Sequence, residues 1–281
     1  MKIGVTAATG QLGRFVISHL STLVPSEDIV ALVRNPEKGA DLGVATRKFD
    51  YESADAASLE DIDHLLLISS NEIGQRARQH GNVIDAAKSA GVKWIVYTSI
   101  LKADTSTISL AGEHLATEKA LAESGIDFTV LRNGWYTENY TGSIGGAVAN
   151  GAFVGSAGEG KIASSARKDF AEAAAVVVSD ASHKGNVYEL SGDVAYTLSE
   201  LAAEISKQTG KKIPYQNLPE ADYAAILKQV GLPEMFADAI ANWDVSASQG
   251  DLYDEGTQLS QLIGRPTTSL AKSVEDALAS L

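Results

Sequence analysis

Apolar positions in the first half of the chain gather into short, nearly unbroken runs, separated by longer stretches with helical spacing. The runs Lys2–Thr6, Ile29–Val33, Val44–Lys48, His64–Ile68, Trp94–Thr98 and Phe128–Leu131 read as strands. A strand that is apolar at successive positions, and not only at alternate ones, belongs in a sheet covered on both faces. Between them, Gln11–Leu23, Ser58–Asp61, Gly74–Ala90 and Leu110–Ser124 read as helices; in the first, Phe15, Val16, Leu20 and Leu23 fall toward the core. Strands alternating with helices predict an α/β fold with a doubly wound parallel sheet. Right-handed crossovers give the strand order 3-2-1-4-5-6 and place a ligand across the ends of strands one and four.

After Arg132 the texture changes. Asn133 to Gly160 is rich in Gly, Ala, Asn and aromatics. Helical patterns follow at Lys168–Ser179, Leu198–Thr209, Glu220–Val230, Pro233–Ala241 and Ser269–Ala279, interrupted by strand-like Val187–Leu190 and Ile213–Gln216. The expected organisation is a sheet domain over 1–132 and a smaller, mainly helical substrate-binding lobe over 133–281, with room for a strand to return to the sheet.

The stretch Ile3-Gly4-Val5-Thr6-Ala7-Ala8-Thr9-Gly10-Gln11-Leu12-Gly13 carries the strongest chemical signal. A strand that feeds a helix through small residues exposes unpaired N–H groups at the helix start, where an anion is favoured. The dinucleotide-binding pattern of a Rossmann-type fold wants three glycines here, and only Gly10 and Gly13 comply. A plain strand–turn–helix would look much the same. Arg34 sharpens the picture, because it stands directly after strand two. An acidic residue there would bind the ribose hydroxyls of NAD, whereas a guanidinium fork fits the 2′-phosphate of NADP. A solvated turn arginine is the plainer alternative.

Asp50 and Tyr51 follow strand three and flank the expected adenine position, although Asp50 equally suits a helix cap. Ser69 and Ser70 end strand four, bordering the expected pyrophosphate or nicotinamide ribose, and could instead cap the helix that follows. Thr98 and Ser99 end strand five, but no tyrosine of the chain has a lysine four residues later. That disfavours alcohol–ketone chemistry run by a lysine-activated tyrosine. His114 and Glu118 share one helix face, so the carboxylate could orient the imidazole, or both could be a solvated surface. No third ligand accompanies them, so no metal is expected. Past strand six, Asn133-Gly134-Trp135-Tyr136 with Glu138 leaves the sheet toward the predicted cleft. Its aromatics suit a flat apolar wall or packing between lobes.

Composition narrows the classes. Lys plus Arg 23 against Asp plus Glu 36 gives a net charge of −13, which argues against nucleic-acid or anionic-membrane binding by bulk charge. The absence of cysteine removes disulfides and thiolate chemistry and fits a reducing compartment. No apolar run approaches a membrane span, and the first residues enter a strand without a signal peptide, so a cytoplasmic protein is expected.

These pieces together resemble the NmrA-like branch of atypical short-chain dehydrogenases, and within it the bacterial NAD(P)H:quinone oxidoreductases of type 2 and the triphenylmethane reductases. The resemblance rests on Thr9–Gly13, Val33–Pro36, Leu66–Ser70, Glu72–Arg76, Glu113-His114 with Thr117–Lys119, Leu131–Tyr136, Gly160–Ser164 and Val187–Leu190, nearly end to end. It implies NADPH held at Ala7, Ala8, Thr9, Gly10, Gln11 and Leu12, at Arg34, and along Asn133 to Glu138, with a quinone or similar planar acceptor. Hydride addition to a quinone yields a stabilised phenolate, so orientation of the ring matters more than a strong acid. Neither flavin nor metal is called for. Tyr136 and His114 are the expected proton donors. A cofactor-binding redox sensor without catalysis is the other expectation the resemblance allows, and dye or azo reduction would use the same pocket. Ala7 departs from the family's first glycine; at positive φ it would cost about 1 kcal/mol.

Overall fold

The computed structural model describes all 281 residues. The strands are β1 (Ile3–Thr6), β2 (Ile29–Val33), β3 (Ala45–Lys48), β4 (His64–Leu67), β5 (Trp94–Ile100), β6 (Asp127–Asn133), β7 (Phe153–Gly155), β8 (Val187–Leu190) and β9 (Tyr215–Asn217). Seven of them form one sheet in the order β3-β2-β1-β4-β5-β6-β8, every neighbouring pair parallel. The expected order is found and extended by one strand, because β8 returns to pair with β6. Every residue of β1 and β5 is buried, whereas β3 on the edge is half open.

The first helices are α1 (Gln11–Leu23), α2 (Arg76–Ala90), α3 (Ala111–Ser124), α4 (Glu138–Thr141), α5 (Ile144–Asn150) and α6 (Arg167–Ser179). After them come α7 (Leu198–Thr209), α8 (Glu220–Gln229), α9 (Glu234–Ser248), α10 (Gln258–Ile263) and α11 (Leu270–Ala279). One sheet face is covered by α1 and α6, which share a core with Val5, Leu66 and Val96. Ala171, Ala173, Ala174 and Ala175 keep α6 thin enough to pack tightly there. The other face is covered by α2 and α3 over Leu65, Leu67, Ile95 and Tyr97. A separate core around Tyr140, Ile144, Phe153, Leu198 and Leu201 holds the helical lobe, where β7 pairs with β9.

Four local expectations change. Ser58–Asp61 is a single 3-10 turn at Ala57–Leu59, too short to nucleate an α-helix. Strands β5 and β6 each run two residues further toward the cleft, to Ile100 and Asn133. Helix α9 continues seven residues beyond Ala241, and the short elements α4, α5, α10 and β7 were not foreseen. The segment Arg167–Leu190 belongs with the sheet, since α6 lies on α1 and β8 on β6, so packing does not break cleanly at residue 132.

Candidate active site

The turn after β1 is built by close approach. Ala7 sits at φ 49°, and the Gly10 N–H donates to its carbonyl at 2.9 Å. A Cβ on Gly13 would lie 2.4 Å from that carbonyl oxygen and 2.7 Å from Ala8 Cα, so only glycine lets α1 seat against the turn. Gly10 is the N-cap of α1, with no side-chain cap and no acid in the first turn. The opening N–H groups at Gln11, Leu12 and Gly13 therefore face an uncapped, electropositive helix end. Thr9, Gly10, Gln11 and Leu12 line the cleft above it. Ala8 does not; it is fully buried beneath the turn.

Arg34 leaves the end of β2 with 71% of its side chain exposed, 3.6 Å from a Glu72 carboxylate oxygen. Arg14 is already engaged by Asp41 at 2.6 Å and by the Lys38 carbonyl at 3.1 Å. Asp50 accepts from the Glu52 N–H, the capping role its position allowed. The Tyr51 hydroxyl lies 2.6 Å from Thr6 Oγ1 and 2.7 Å from the Ile68 carbonyl, tying the ends of β1 and β4 together. Burial raises its pKa well above the usual phenol value.

At the centre of the cleft, Ser69 is half-buried and lines the wall. Ser70 is committed to structure: its hydroxyl donates to Gln79, its N–H to His80 Nε2 at 2.9 Å, and its carbonyl accepts from Arg76 Nε at 2.6 Å. Arg76, which no local pattern singles out as a site residue, opens α2 six residues after Ser70. Its side chain is 10% exposed, and one guanidinium nitrogen has no hydrogen-bond partner.

His114 also lines the cleft, but Glu118 does not orient it. That carboxylate accepts from Ser99 Oγ at 2.6 Å and pairs with Arg132 at 2.8 Å, drawn away by a buried cation that needs it. His114 Nδ1 instead meets the Tyr97 hydroxyl at 2.7 Å. Burial, with the Arg76 charge nearby, pushes the His114 pKa down to about 3.

The segment after β6 behaves as expected in part. Gly134 donates to the Leu190 carbonyl at 2.7 Å, and a Cβ there would sit 2.9 Å from that oxygen. Asn133 is 4% exposed, and both its amide nitrogen and its amide oxygen are unpaired. Trp135 makes an edge contact with Trp243 at 5.5 Å, and Tyr136 with Phe170 at 5.4 Å under the Arg167 guanidinium at 4.7 Å. Burial raises the Tyr136 pKa. Glu138 is turned elsewhere: its carboxylate accepts from the Arg167 N–H at 3.0 Å and caps α6.

All of these walls face one cleft of about 1070 Å³, large enough for an extended dinucleotide with a planar molecule beside it. Phe236 and Trp243 from α9 complete its rim. They are about a hundred residues beyond the other wall, and nothing local in the sequence announces them. The cleft has an anion-binding end, a guanidinium at its mouth, an unsatisfied amide deep inside and aromatic walls.

Comparison with known proteins agrees with this geometry. The NmrA-like family profile matches residues 1–276. The chain is 58% identical to quinone oxidoreductase 2 of Escherichia coli K12 over 277 residues, 97% of each chain. The crystal structure of the NADPH-dependent quinone oxidoreductase from E. coli, in complex with NADPH, matches with a TM-score of 0.95 and 57% identity, over 98% of this chain and 99% of that one. Triphenylmethane reductase from Citrobacter sp. in complex with NADP(H) matches with a TM-score of 0.93 and 38% identity, over 98% of this chain and all of its own. With near-complete coverage by the profile and by relatives of this similarity, the chain belongs to the NmrA-like family.

Proposed function

We propose that this protein is an NADPH-dependent quinone oxidoreductase of the cytoplasm, taking a quinone or similar planar acceptor in the cleft between sheet and lobe. The observation that carries the reading is the pairing of two unmet needs at opposite ends of that cleft. One is the uncapped α1 terminus over Gly13; the other is the Asn133 side chain, buried with donor and acceptor both unused. A diphosphate suits the first, and a carboxamide, itself one donor and one acceptor, suits the second. Arg34 stands where a 2′-phosphate would reach it, with Ser69 and Gly134 along the path between.

NADPH, when bound, supplies the hydride. The chain holds it by the Ala7–Leu12 turn and Arg34, and the ring of the acceptor rests against Trp135, Tyr136 and Trp243. Ala8 and Glu138 support this from behind, packing the turn and capping α6. His114 and Tyr136 face the acceptor's oxygens; burial keeps the Tyr136 phenol protonated and able to donate. The high identity to the E. coli quinone oxidoreductase supports the same assignment.

The test mixes purified protein with NADPH and a simple benzoquinone and follows loss of nicotinamide absorbance. Sustained turnover is the expected result. Tight NADPH binding with no turnover across several quinones would identify a redox sensor instead, and turnover confined to triphenylmethane or azo dyes would reassign the acceptor.

A further inference from the structure

Two buried imidazoles pack against the Tyr97 ring, His80 with centroids 5.4 Å away and His114 at 5.9 Å. Their hydrogen bonds settle which nitrogen of each carries the proton. The Ser70 backbone N–H donates to His80 Nε2 at 2.9 Å. An amide N–H only donates, so Nε2 is the bare nitrogen and Nδ1 bears hydrogen. That hydrogen goes to Thr117 Oγ1 at 2.8 Å, and the Thr117 hydroxyl donates on to the Glu113 carbonyl at 3.1 Å. Every group in the chain is satisfied.

His114 has the opposite arrangement. Tyr97 is wholly buried, and His114 Nδ1, at 2.7 Å, is the partner its hydroxyl meets at full hydrogen-bond distance, ahead of the neighbouring Thr117 and Ser69 hydroxyls. A proton on Nδ1 would take the best-placed acceptor from the phenolic hydrogen and leave it only the more distant Thr117 and Ser69 hydroxyls, a costlier state in the core. With Tyr97 donating, Nδ1 is bare and Nε2 holds the hydrogen. Nε2 has no partner in the protein and is not sealed in the core; it opens to the cleft that His114 lines.

We propose that His114 Nε2–H is a neutral hydrogen-bond donor to the carbonyl oxygen of the acceptor, and that Tyr97 is the positioning residue that holds this tautomer. The inference rests on the quinone reading of the cleft and deepens it. A neutral imidazole cannot pass its proton on without becoming an imidazolate, so His114 polarises the carbonyl and stabilises charge growing on its oxygen. Burial, with the Arg76 charge nearby, keeps it neutral. The proton balance then closes without His114: the quinone gains a hydride from the cofactor and one proton drawn ultimately from water, by way of Tyr136 or directly, leaving hydroquinone and the oxidised cofactor.

Nitrogen-15 NMR of the histidine side chains tests this on the whole protein, with and without NADP+. There are five histidines, and the His114 signal is the one lost in His114→Gln. The expected pattern is a protonated Nε2 and a bare Nδ1 for His114, the reverse for His80, and no change between about pH 5 and pH 8. A His114 protonated at Nδ1, or at both nitrogens near neutrality, overturns the proposal. In Tyr97→Phe the His114 signals are expected to show mixed tautomers, and kcat on benzoquinone to fall about tenfold with KM for NADPH unchanged. An unaltered tautomer in that variant overturns the role of Tyr97. The wild-type spectrum decides the tautomer even if the variant does not fold. Absence of quinone turnover in the wild-type enzyme would sink the functional reading while leaving the tautomer measurement intact.

Discussion

The Cβ that Gly13 lacks would stand 2.4 Å from the carbonyl oxygen of Ala7, so the first turn of α1 and the end of β1 are in backbone contact. The same Ala7 occupies left-handed backbone at φ 49°, a conformation that glycine adopts without strain. The family's first glycine is missing at a position whose conformation asks for one.

Two substitutions separate these effects. Gly13→Ala forces the helix off the turn and is expected to cost about 1–3 kcal/mol of stability, with a marked loss of NADPH affinity. Ala7→Gly removes the strain, roughly 1–2 kcal/mol, against roughly 0.4–1 kcal/mol for glycine's greater freedom when unfolded. The net expectation is a slightly higher Tm and NADPH binding at least as tight as wild type. Thermal melts with a fluorescence titration check both, and a lower Tm for Ala7→Gly would contradict the strain.

Arg34→Asp replaces the guanidinium at the cleft mouth with a second carboxylate beside Glu72, 3.6 Å from it in the wild-type pair. Binding of NADPH should weaken at least about tenfold, and binding of NADH should barely change. Equal losses for the two cofactors would remove Arg34 from the 2′-phosphate.

Asn133→Leu sets stability against binding. Both amide atoms are buried and unpaired, so an apolar side chain of similar volume should leave the protein without cofactor as stable, or more stable by about 1 kcal/mol. NADPH affinity should fall at the same time. A large loss of stability in Asn133→Leu would show that the amide serves the fold.

Asp244 gives the lobe its own pH dependence. It is 3% exposed, accepts from Tyr140 Oη and the Ser156 N–H, and burial raises its pKa to about 6. A carboxyl with a folded pKa above its unfolded value binds its proton more tightly when folded. Its contribution therefore strengthens as pH falls through 6 and is lost as pH rises through 6. The stability of Asp244→Asn relative to wild type should accordingly improve between about pH 5 and about pH 8, by on the order of 1 kcal/mol. A constant difference across that range would contradict the shift.

Much of this arrangement is legible in the sequence. The strand order followed from apolar runs and crossover handedness, and Thr9–Leu12, Arg34, Ser69 and the Asn133–Tyr136 segment do line one cleft. These positions sit at strand ends, which a parallel sheet gathers along one edge. What escaped depended on contacts that no local pattern encodes. Glu118 is four residues from His114 yet answers to Arg132 on β6, and the partner of His114 is Tyr97 on β5. Trp243 reaches the cleft from a distant helix, and Glu138 caps α6 because the chain brings Arg167 beside it. The sequence spacing was right about faces and silent about which neighbours meet across them.

A crystal of this protein soaked with NADP+ tests the central claim most directly. The diphosphate should lie on the N–H groups that open α1, the 2′-phosphate against Arg34 and the carboxamide against Asn133. Nucleotide bound elsewhere while this cleft stays empty would contradict the account.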